Sequence, residues 1–497
     1  MHSTTPHRAA RSVAVVGFVA LMLLGVRSDA DTRDLGTHVV LSWNDLGMHC
    51  MNQDHAQISI LPPYNDLVAQ VILRGNATTL PQIVTDGVTL EYSIPGNTYS
   101  VGKTDFWDYA QDLFGVILPP NVGLTGRGLT GTFDALPGYF EADGIPITPF
   151  TDANPTVEDP YQQALVIARD AGGAELARVE PVIPVSTEVS CVSGGCHGSI
   201  QNILNQHEDE GGFNPNNTPI LCAQCHGSPP LTGPNPGSAG YFSRRIHEKH
   251  DFLDQSMPGI AGCYKCHPGQ NTNCLRGTMS TNFGMICQDC HGNMHQVSDS
   301  IDNGRTPWID EPACRTCHTA TYGEPVGTLY RNAVGHGGVR CAACHDSPHA
   351  IAPSRVDRDN AKMIALQGHA GTLSDCTVCH GVVPSGAGPH GISSTAVVEG
   401  ELLGGASKLA TFPNPVRAGG FVRIRGTAES TDGGHLLVFD AAGRTIRKLE
   451  ASVAGSRELT GAWDGRNARG ESVAPGVYFV RWTRGEEKAT GKVVVID

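Results

Sequence analysis

The apolar positions fall into distinct regimes along the chain. Positions 13 to 26 form one unbroken apolar run, VAVVGFVALMLLGV, behind Arg8 and Arg11 and ahead of Ser28-Asp29-Ala30. Basic residues, a short apolar stretch and a small-x-small site are the parts of a secretory signal, and the run is shorter than the ~20 residues that span a bilayer. Residues 1–30 are therefore expected to be a signal peptide, leaving no transmembrane span in the mature chain and no cysteine near the cleavage site to carry a lipid. From 31 to 186 strand-like runs recur, His38-Val-Val-Leu-Ser-Trp43, Gln57-Ile-Ser-Ile-Leu61, Leu67-Val-Ala-Gln-Val-Ile-Leu73 and Ala164-Leu-Val-Ile-Ala168, separated by Pro, Gly and Asn, and predict a β-rich domain. Residues 187–392 read differently: loops such as 211–217 and 229–240 are rich in Gly, Asn and Pro, so short helices wrapped by long loops are expected. A Gly/Ser/Ala-rich linker occupies 393–410. From 411 to 497 alternation returns in Leu436-Leu-Val-Phe-Asp440, Thr445-Ile-Arg-Lys-Leu449, Val473 to Arg481 and Lys492-Val-Val-Val-Ile496, predicting a small β-sandwich whose first two of these strands form a hairpin.

Composition narrows the function classes. The 497 residues suit about three domains. Charged residues are only 17%, so disorder driven by charge is not expected. The formal charge is −14, and loss of the signal, with three Arg and one Asp, takes it to −16, which argues against nucleic acid as a partner. What stands out is 16 Cys together with 21 His.

Most of these residues fall in one recurring motif. Cys222-Ala-Gln-Cys225-His226, Cys263-Tyr-Lys-Cys266-His267, Cys287-Gln-Asp-Cys290-His291, Cys314-Arg-Thr-Cys317-His318, Cys341-Ala-Ala-Cys344-His345 and Cys376-Thr-Val-Cys379-His380 share one spacing, and Cys191-Val-Ser-Gly-Gly-Cys196-His197 has two extra residues. Independent placement would give roughly 0.02 regular motifs per chain. The spacing suits covalent haem: two thiols add across the vinyl groups, and the adjacent imidazole becomes the proximal ligand of the iron. Disulfides would not require a histidine after every second cysteine, and zinc would leave that histidine without a role. About seven c-type haems are expected, held by Cys191, Cys196, Cys222, Cys225, Cys263, Cys266, Cys287, Cys290, Cys314, Cys317, Cys341, Cys344, Cys376 and Cys379, with His197, His226, His267, His291, His318, His345 and His380 as proximal ligands.

Eight further histidines in this region are candidate distal ligands: His207, His247, His250, His295, His336, His349, His369 and His390. His295 and His349 each follow a motif histidine by four residues, His336 and His369 precede motifs, and His247 and His250 share a helical face. Met257, Met279, Met285 and Met294 compete for the same role. Mostly bis-histidine irons are expected, a closed coordination that favours electron transfer over catalysis. With 200 residues for seven haems, the cofactors themselves must form much of the core. Outside the motifs, His49, Cys50 and His55 form a close cluster, read either as a ligand set or as structural, and one of its histidines is a candidate cap for a haem at the domain junction. Cys50 and Cys274 are the two spare cysteines, and a disulfide between them or a widely spaced attachment through Cys274 are both left open.

The motif array resembles multihaem c-type cytochromes. Asn44-Asp-Leu-Gly-Met-His-Cys-Met-Asn52, with Leu61-Pro-Pro-Tyr-Asn65, resembles the leader domain of large exported multihaem cytochromes from metal-respiring bacteria. Phe412-Pro-Asn-Pro415, Trp463-Asp-Gly-Arg466 and the strands between and after them resemble FlgD-type immunoglobulin-like domains and the C-terminal sorting domains of secreted bacterial proteins, which implies surface delivery. The expected whole is a multidomain chain: β-rich N-terminal domain, loop-rich and mainly α multihaem domain with little regular structure, and C-terminal Ig-like sandwich. Its expected function is electron relay at the cell surface or outside the cell, otherwise in the periplasm, as a carrier rather than a catalyst. Redox proteins, an extracellular acceptor or further cytochrome subunits are the expected partners, the last through a histidine given to a neighbour's haem in a filament. The alternative is a multihaem reductase of a small oxyanion or nitrogen species, which needs one open haem face.

Overall fold

The strand Asn65–Leu73 is apolar on both faces, and both are buried. In the computed structural model, which describes residues 35–189, 191–209, 211–269, 271–318, 322–391, 407–412, 414, 416–427, 435–440, 444–453, 458–484 and 487–496, this strand is central to the N-terminal domain. The expected signal peptide and most of the expected linker lie outside the described residues. His38–Trp43 pairs antiparallel along one side of the strand, from His38 opposite Leu73 to Trp43 opposite Val68, and Tyr139–Ile145 pairs along the other. A second antiparallel sheet runs in the order Glu175–Val179, Leu165–Asp170, Val88–Ser93, Gly131–Thr132. Side chains alternate across a pleated strand, so Leu67, Ala69 and Val71 meet Leu90, Tyr92, Val166 and Ala168 between the sheets. The expected β-rich domain is thus a two-sheet sandwich.

The opposite face of the first sheet is not solvated. Val39, Leu41, Trp43, Val68 and Ile72 pack with Tyr330, Ala342, Ala343, Met363, Leu366 and Val378 of the central segment in one core. Polar contacts pin the same seam. Arg74 donates to the carbonyls of Val378 and Thr377 at 2.8 and 2.9 Å, Gln70 accepts from the Arg340 N–H at 2.9 Å, and Lys362 donates to the Ser42 carbonyl at 2.9 Å. Burial on both faces explains a strand whose apolar run is nearly continuous instead of alternating.

Asp66, on this central strand, carries a pH-dependent stability. Burial raises its carboxyl from 3.8 to about 8; the Gly144 N–H opposes the rise, and Asp45, Asp143 and Glu141 add to it. The folded value lies above the unfolded one, so the contribution is fully present below about 4 and lost as pH rises through about 8. Asp66→Asn, which keeps an acceptor for the 2.8 Å Gly144 hydrogen bond, should flatten this dependence. A gain of about 1–3 kcal/mol at pH 8, shrinking toward zero at pH 4, is the expected result of denaturant titrations at the two pH values.

Between 191 and 391 the regular elements are short. The longest helices are Ile200–Asp209, Phe242–Lys249, Met294–Asp302 and Asp357–Gln367. Met294–Asp302 opens with a capping box, in which Asn293 accepts from the Gln296 N–H while Gln296 accepts from the Asn293 N–H. It packs on Phe242–Lys249, with Arg244 donating to Asp302 at 2.9 Å.

The C-terminal residues form two further sheets. One runs Ser407–Lys408, Glu487–Ile496, Gly476–Arg484, His435–Asp440, Thr445–Leu449, with Val416–Arg417 also on Glu487–Ile496. The other runs Ala410–Phe412, Val422–Thr427, Glu458–Trp463, Ala451–Val453. Val422, Ile424, Leu459 and Trp463 from the second meet Leu436, Val438, Val480 and Trp482 from the first. The expected sandwich and hairpin are present, but the boundary moves: Ser407–Lys408 pairs with Ala489 and Thr490, inside the expected linker. Small residues without alternation concealed that edge strand. Phe412 meets Phe283 of the central segment with ring centroids 6.0 Å apart, and Gly284, at φ +65°, lies where any side chain would strike the Arg425 guanidinium. Among the described residues no helix is long and apolar enough to cross a membrane.

Candidate haem-binding sites

Each regular motif is wound as a single helical turn. The histidine N–H returns to the first cysteine's carbonyl at 3.0 Å for His226, 2.9 Å for His267, 2.8 Å for His318 and 2.9 Å for His380, while Cys287–His291 and Cys341–His345 are short α-helices. One turn brings positions i, i+3 and i+4 to the same face, so both sulfurs and the imidazole point one way. The wider motif closes differently: Gly195, at φ +79°, lets the chain turn, and His197 N–H reaches the Cys191 carbonyl at 3.2 Å.

Six motif histidines face a second imidazole. Ring centroids are separated by 6.1 Å for His197 and His250, 6.1 Å for His226 and His207, 6.0 Å for His267 and His247, 6.2 Å for His291 and His349, 6.0 Å for His345 and His390, and 5.9 Å for His380 and His336. An iron bonded at about 2 Å to one nitrogen of each of two trans imidazoles sets their centroids about 6 Å apart. The residues present therefore fit haem with two axial histidines at six positions.

Neighbouring groups orient several of these rings or hold them neutral. His247 and His250 each place Nδ1 on the carbonyl four residues back, Ser243 at 2.7 Å and Ile246 at 2.8 Å. With the proton on Nδ1, Nε2 is the free donor atom, a common arrangement for metal-binding histidine. Burial, followed by the neighbouring imidazoles, lowers His267, His345 and His349 to about 4. They stay neutral at pH 7, the form that binds metal.

Two expected distal residues lie apart. The His295 side chain is 62% exposed and sits 3.2 Å from Asp299 and 3.6 Å from Asp251. The capping box opens the helix on whose first turn it sits, and its four-residue offset from His291 does not bring it opposite a motif histidine. His369 is exposed, with Nδ1 against the Ala370 carbonyl at 3.0 Å. His318 is the motif histidine left without an imidazole opposite it among the described residues.

The His49, Cys50 and His55 cluster resolves into structural contacts. His49 is buried on Tyr64 and places Nε2 on the Pro62 carbonyl at 2.8 Å, whereas His55 places Nδ1 on Ser59 at 3.0 Å and packs on Phe106. Neither has a motif histidine opposite it, His49 Nδ1 and His55 Nε2 are buried without a hydrogen-bond partner, and among the described residues no three His, Cys, Asp or Glu side chains converge to hold a metal ion. Cys50 and Cys274 are free thiols; burial, then the nearby Cys274, raises the Cys50 pKa. The junction there is both apolar and polar: Met48, Tyr161 and Val182 pack with Cys274 and Val356, Tyr161 donates to the Thr272 carbonyl at 2.8 Å, and Glu188 accepts the N–H groups of Asn271 and Thr272 at 2.8 and 3.0 Å.

The motifs also fall in a spatial order that spacing did not reveal. Cys222 neighbours Cys191, and Cys266 neighbours Cys191 and Cys196. Cys263 and Cys287 share a side-chain contact, Cys290 neighbours Cys317, His345 neighbours His318, and Cys344 neighbours Cys379. These neighbours trace one path, from the motif at 222 to those at 191, 263, 287, 314, 341 and 376.

No known protein family matches the chain, and no curated protein does. Among solved structures, PorZ, a surface component of the type IX secretion system of Porphyromonas gingivalis, is similar at 29% identity over 20% of this chain and 13% of its own, with a TM-score of 0.15. The first Ig domain of mouse SynCAM 2 is similar at 16% identity, covering 18% of this chain and 92% of its own, with a TM-score of 0.12. A titin M10 and obscurin-like 1 Ig complex is similar at 15% identity, covering 18% and 93%, with a TM-score of 0.12. TM-scores this low establish no shared fold, and the chain spans only a small part of PorZ.

Proposed function

We propose that this chain is an exported heptahaem c-type cytochrome that relays electrons at the cell surface or outside the cell. The observation that carries the reading is the pairing of six motif histidines with second imidazoles at 5.9–6.2 Å. Haem iron supplies reversible one-electron chemistry when bound. The chain's own part is to tether it through the paired cysteines, hold it through the motif histidine and close its other face with His207, His247, His250, His336, His349 or His390. Two protein ligands leave no position for substrate, which suits a carrier. The continuous path of motifs supports transfer from one end of the central segment to the other. The acidic charge favours a basic redox partner or a cationic mineral face. The C-terminal sandwich is read as an Ig-like, FlgD-type module serving surface delivery.

Haem content tests this directly: the purified chain should carry about seven covalent haems by alkaline pyridine assay, and a haem-free product from a haem-attaching host would sink the reading. His250→Ala should convert one low-spin ferric signal to high-spin in electron paramagnetic resonance. His295→Ala and His369→Ala should leave the spectrum unchanged. A reductase is the second reading because His318 has no imidazole opposite it among the described residues; a high-spin ferric signal from the wild-type protein that shifts on adding nitrite would favour it.

A further inference from the structure

We infer that Met279 is the sixth ligand of the iron held by His318, giving that one centre a thioether where the other six have a second imidazole. The inference rests on the haem reading proposed above. A cavity of about 300 Å³ opens beside Cys317 and His318 and is walled by Met279, Phe283, Leu409, Phe412 and Lys492. This is the space next to the one motif histidine without an imidazole partner, and it includes a soft sulfur donor suited to haem iron. Two of the other polar lining residues are engaged elsewhere. Thr411 donates to the Lys492 carbonyl at 2.6 Å, and Asn414 donates to Thr411 at 3.0 Å while accepting the Val494 N–H at 2.7 Å.

The other methionines considered as ligands do not line this cavity. Met285 and Met294 are buried, and Met294 lies against the position of Gly262. Met279 sits on the single turn Thr278–Thr281, which is anchored at its start where the Thr278 N–H donates to the Ile351 carbonyl at 2.8 Å. The strand Ala410–Phe412 forms the outer wall. The C-terminal sandwich therefore does more than follow the central segment: it supplies part of the wall of one of its candidate iron sites.

The test uses the full holoprotein. The oxidised wild type should show the red charge-transfer band given by a thioether on ferric haem, and redox titration should resolve one component above the other six, since methionine ligation raises the potential. Met279→Ala should lose the band and gain one high-spin ferric signal, with haem content unchanged. Met279→His should also lose the band but stay low-spin, and the high-potential component should move down among the others. A wild type with about seven haems and no thioether band overturns the Met279 assignment while leaving the cytochrome reading intact, as does a band that survives both substitutions or seven bis-histidine signals in an assembled filament. A product without haem overturns the cytochrome reading instead.

Discussion

A chain made where haem cannot be attached is expected to lose residues 191–391 to limited proteolysis while both β-sandwiches survive as resistant fragments. Each sandwich has a core between its own two sheets: Val40, Leu67, Val71, Leu90, Phe140 and Val166 in one, Leu436, Val438, Val480, Trp463, Trp482 and Val493 in the other. The central segment has no comparable cluster of its own among the described residues. Its largest apolar group borrows Val39, Leu41, Trp43, Val68 and Ile72 from the N-terminal sheet, and a smaller one draws on Tyr109, Leu113 and Phe114. Ordering a residue costs about 1–2 kcal/mol of backbone entropy, and single helical turns with little shared apolar surface do not offset it. On the haem reading, the missing core is the cofactor stack. Mass spectrometry of trypsin-resistant fragments from the haem-free and haem-loaded chains checks the prediction; equal protection of the central segment in both would refute it.

The second large effect is expected at Asp359. Its carboxylate takes a bidentate contact from Arg276, Nε at 2.6 Å and Nη2 at 3.0 Å, and accepts from Ser354 at 2.6 Å. Both side chains are almost sealed, at 1% and 2% exposure. Arg276 also lies over the Tyr161 ring at 4.6 Å, and its backbone N–H donates to the His349 carbonyl at 2.8 Å. One ion pair therefore ties the N-terminal sandwich, the helix Asp357–Gln367 and a candidate distal histidine together. Asp359→Ala strands a buried guanidinium and should cost about 3–5 kcal/mol, whereas Arg276→Met with Asp359→Leu, which removes both charges, should recover most of that loss. Chemical denaturation of the three proteins decides it. A double variant as unstable as Asp359→Ala would show that the hydrogen-bond network, and not the lone charge, carries the cost.

The attachment motifs were legible from sequence because their chemistry is local. Positions i, i+3 and i+4 meet within one turn, so spacing alone identifies the residues. The distal partners depend on contacts between segments. His295 and His349 have the same offset from a preceding motif histidine, yet His349 faces His291 while helix capping leaves His295 beside Asp251 and Asp299. His207 pairs with His226 and His390 with His345, each across segments distant in sequence.

A similar division holds for the fold. Alternation and turn residues marked the β-rich ends and the sandwich with its hairpin, since side-chain period follows directly from the pleat. The edge strand Ser407–Lys408 has no such period and is defined only by its pairing with Ala489 and Thr490. The sequence by itself determined which cysteines and histidines belong to each motif, because those residues are held together by a few bonds of backbone. Tertiary structure alone decided which imidazoles oppose them, the order of the motifs in space and the placing of Met279 beside His318, because each depends on side chains brought together from separate parts of the chain.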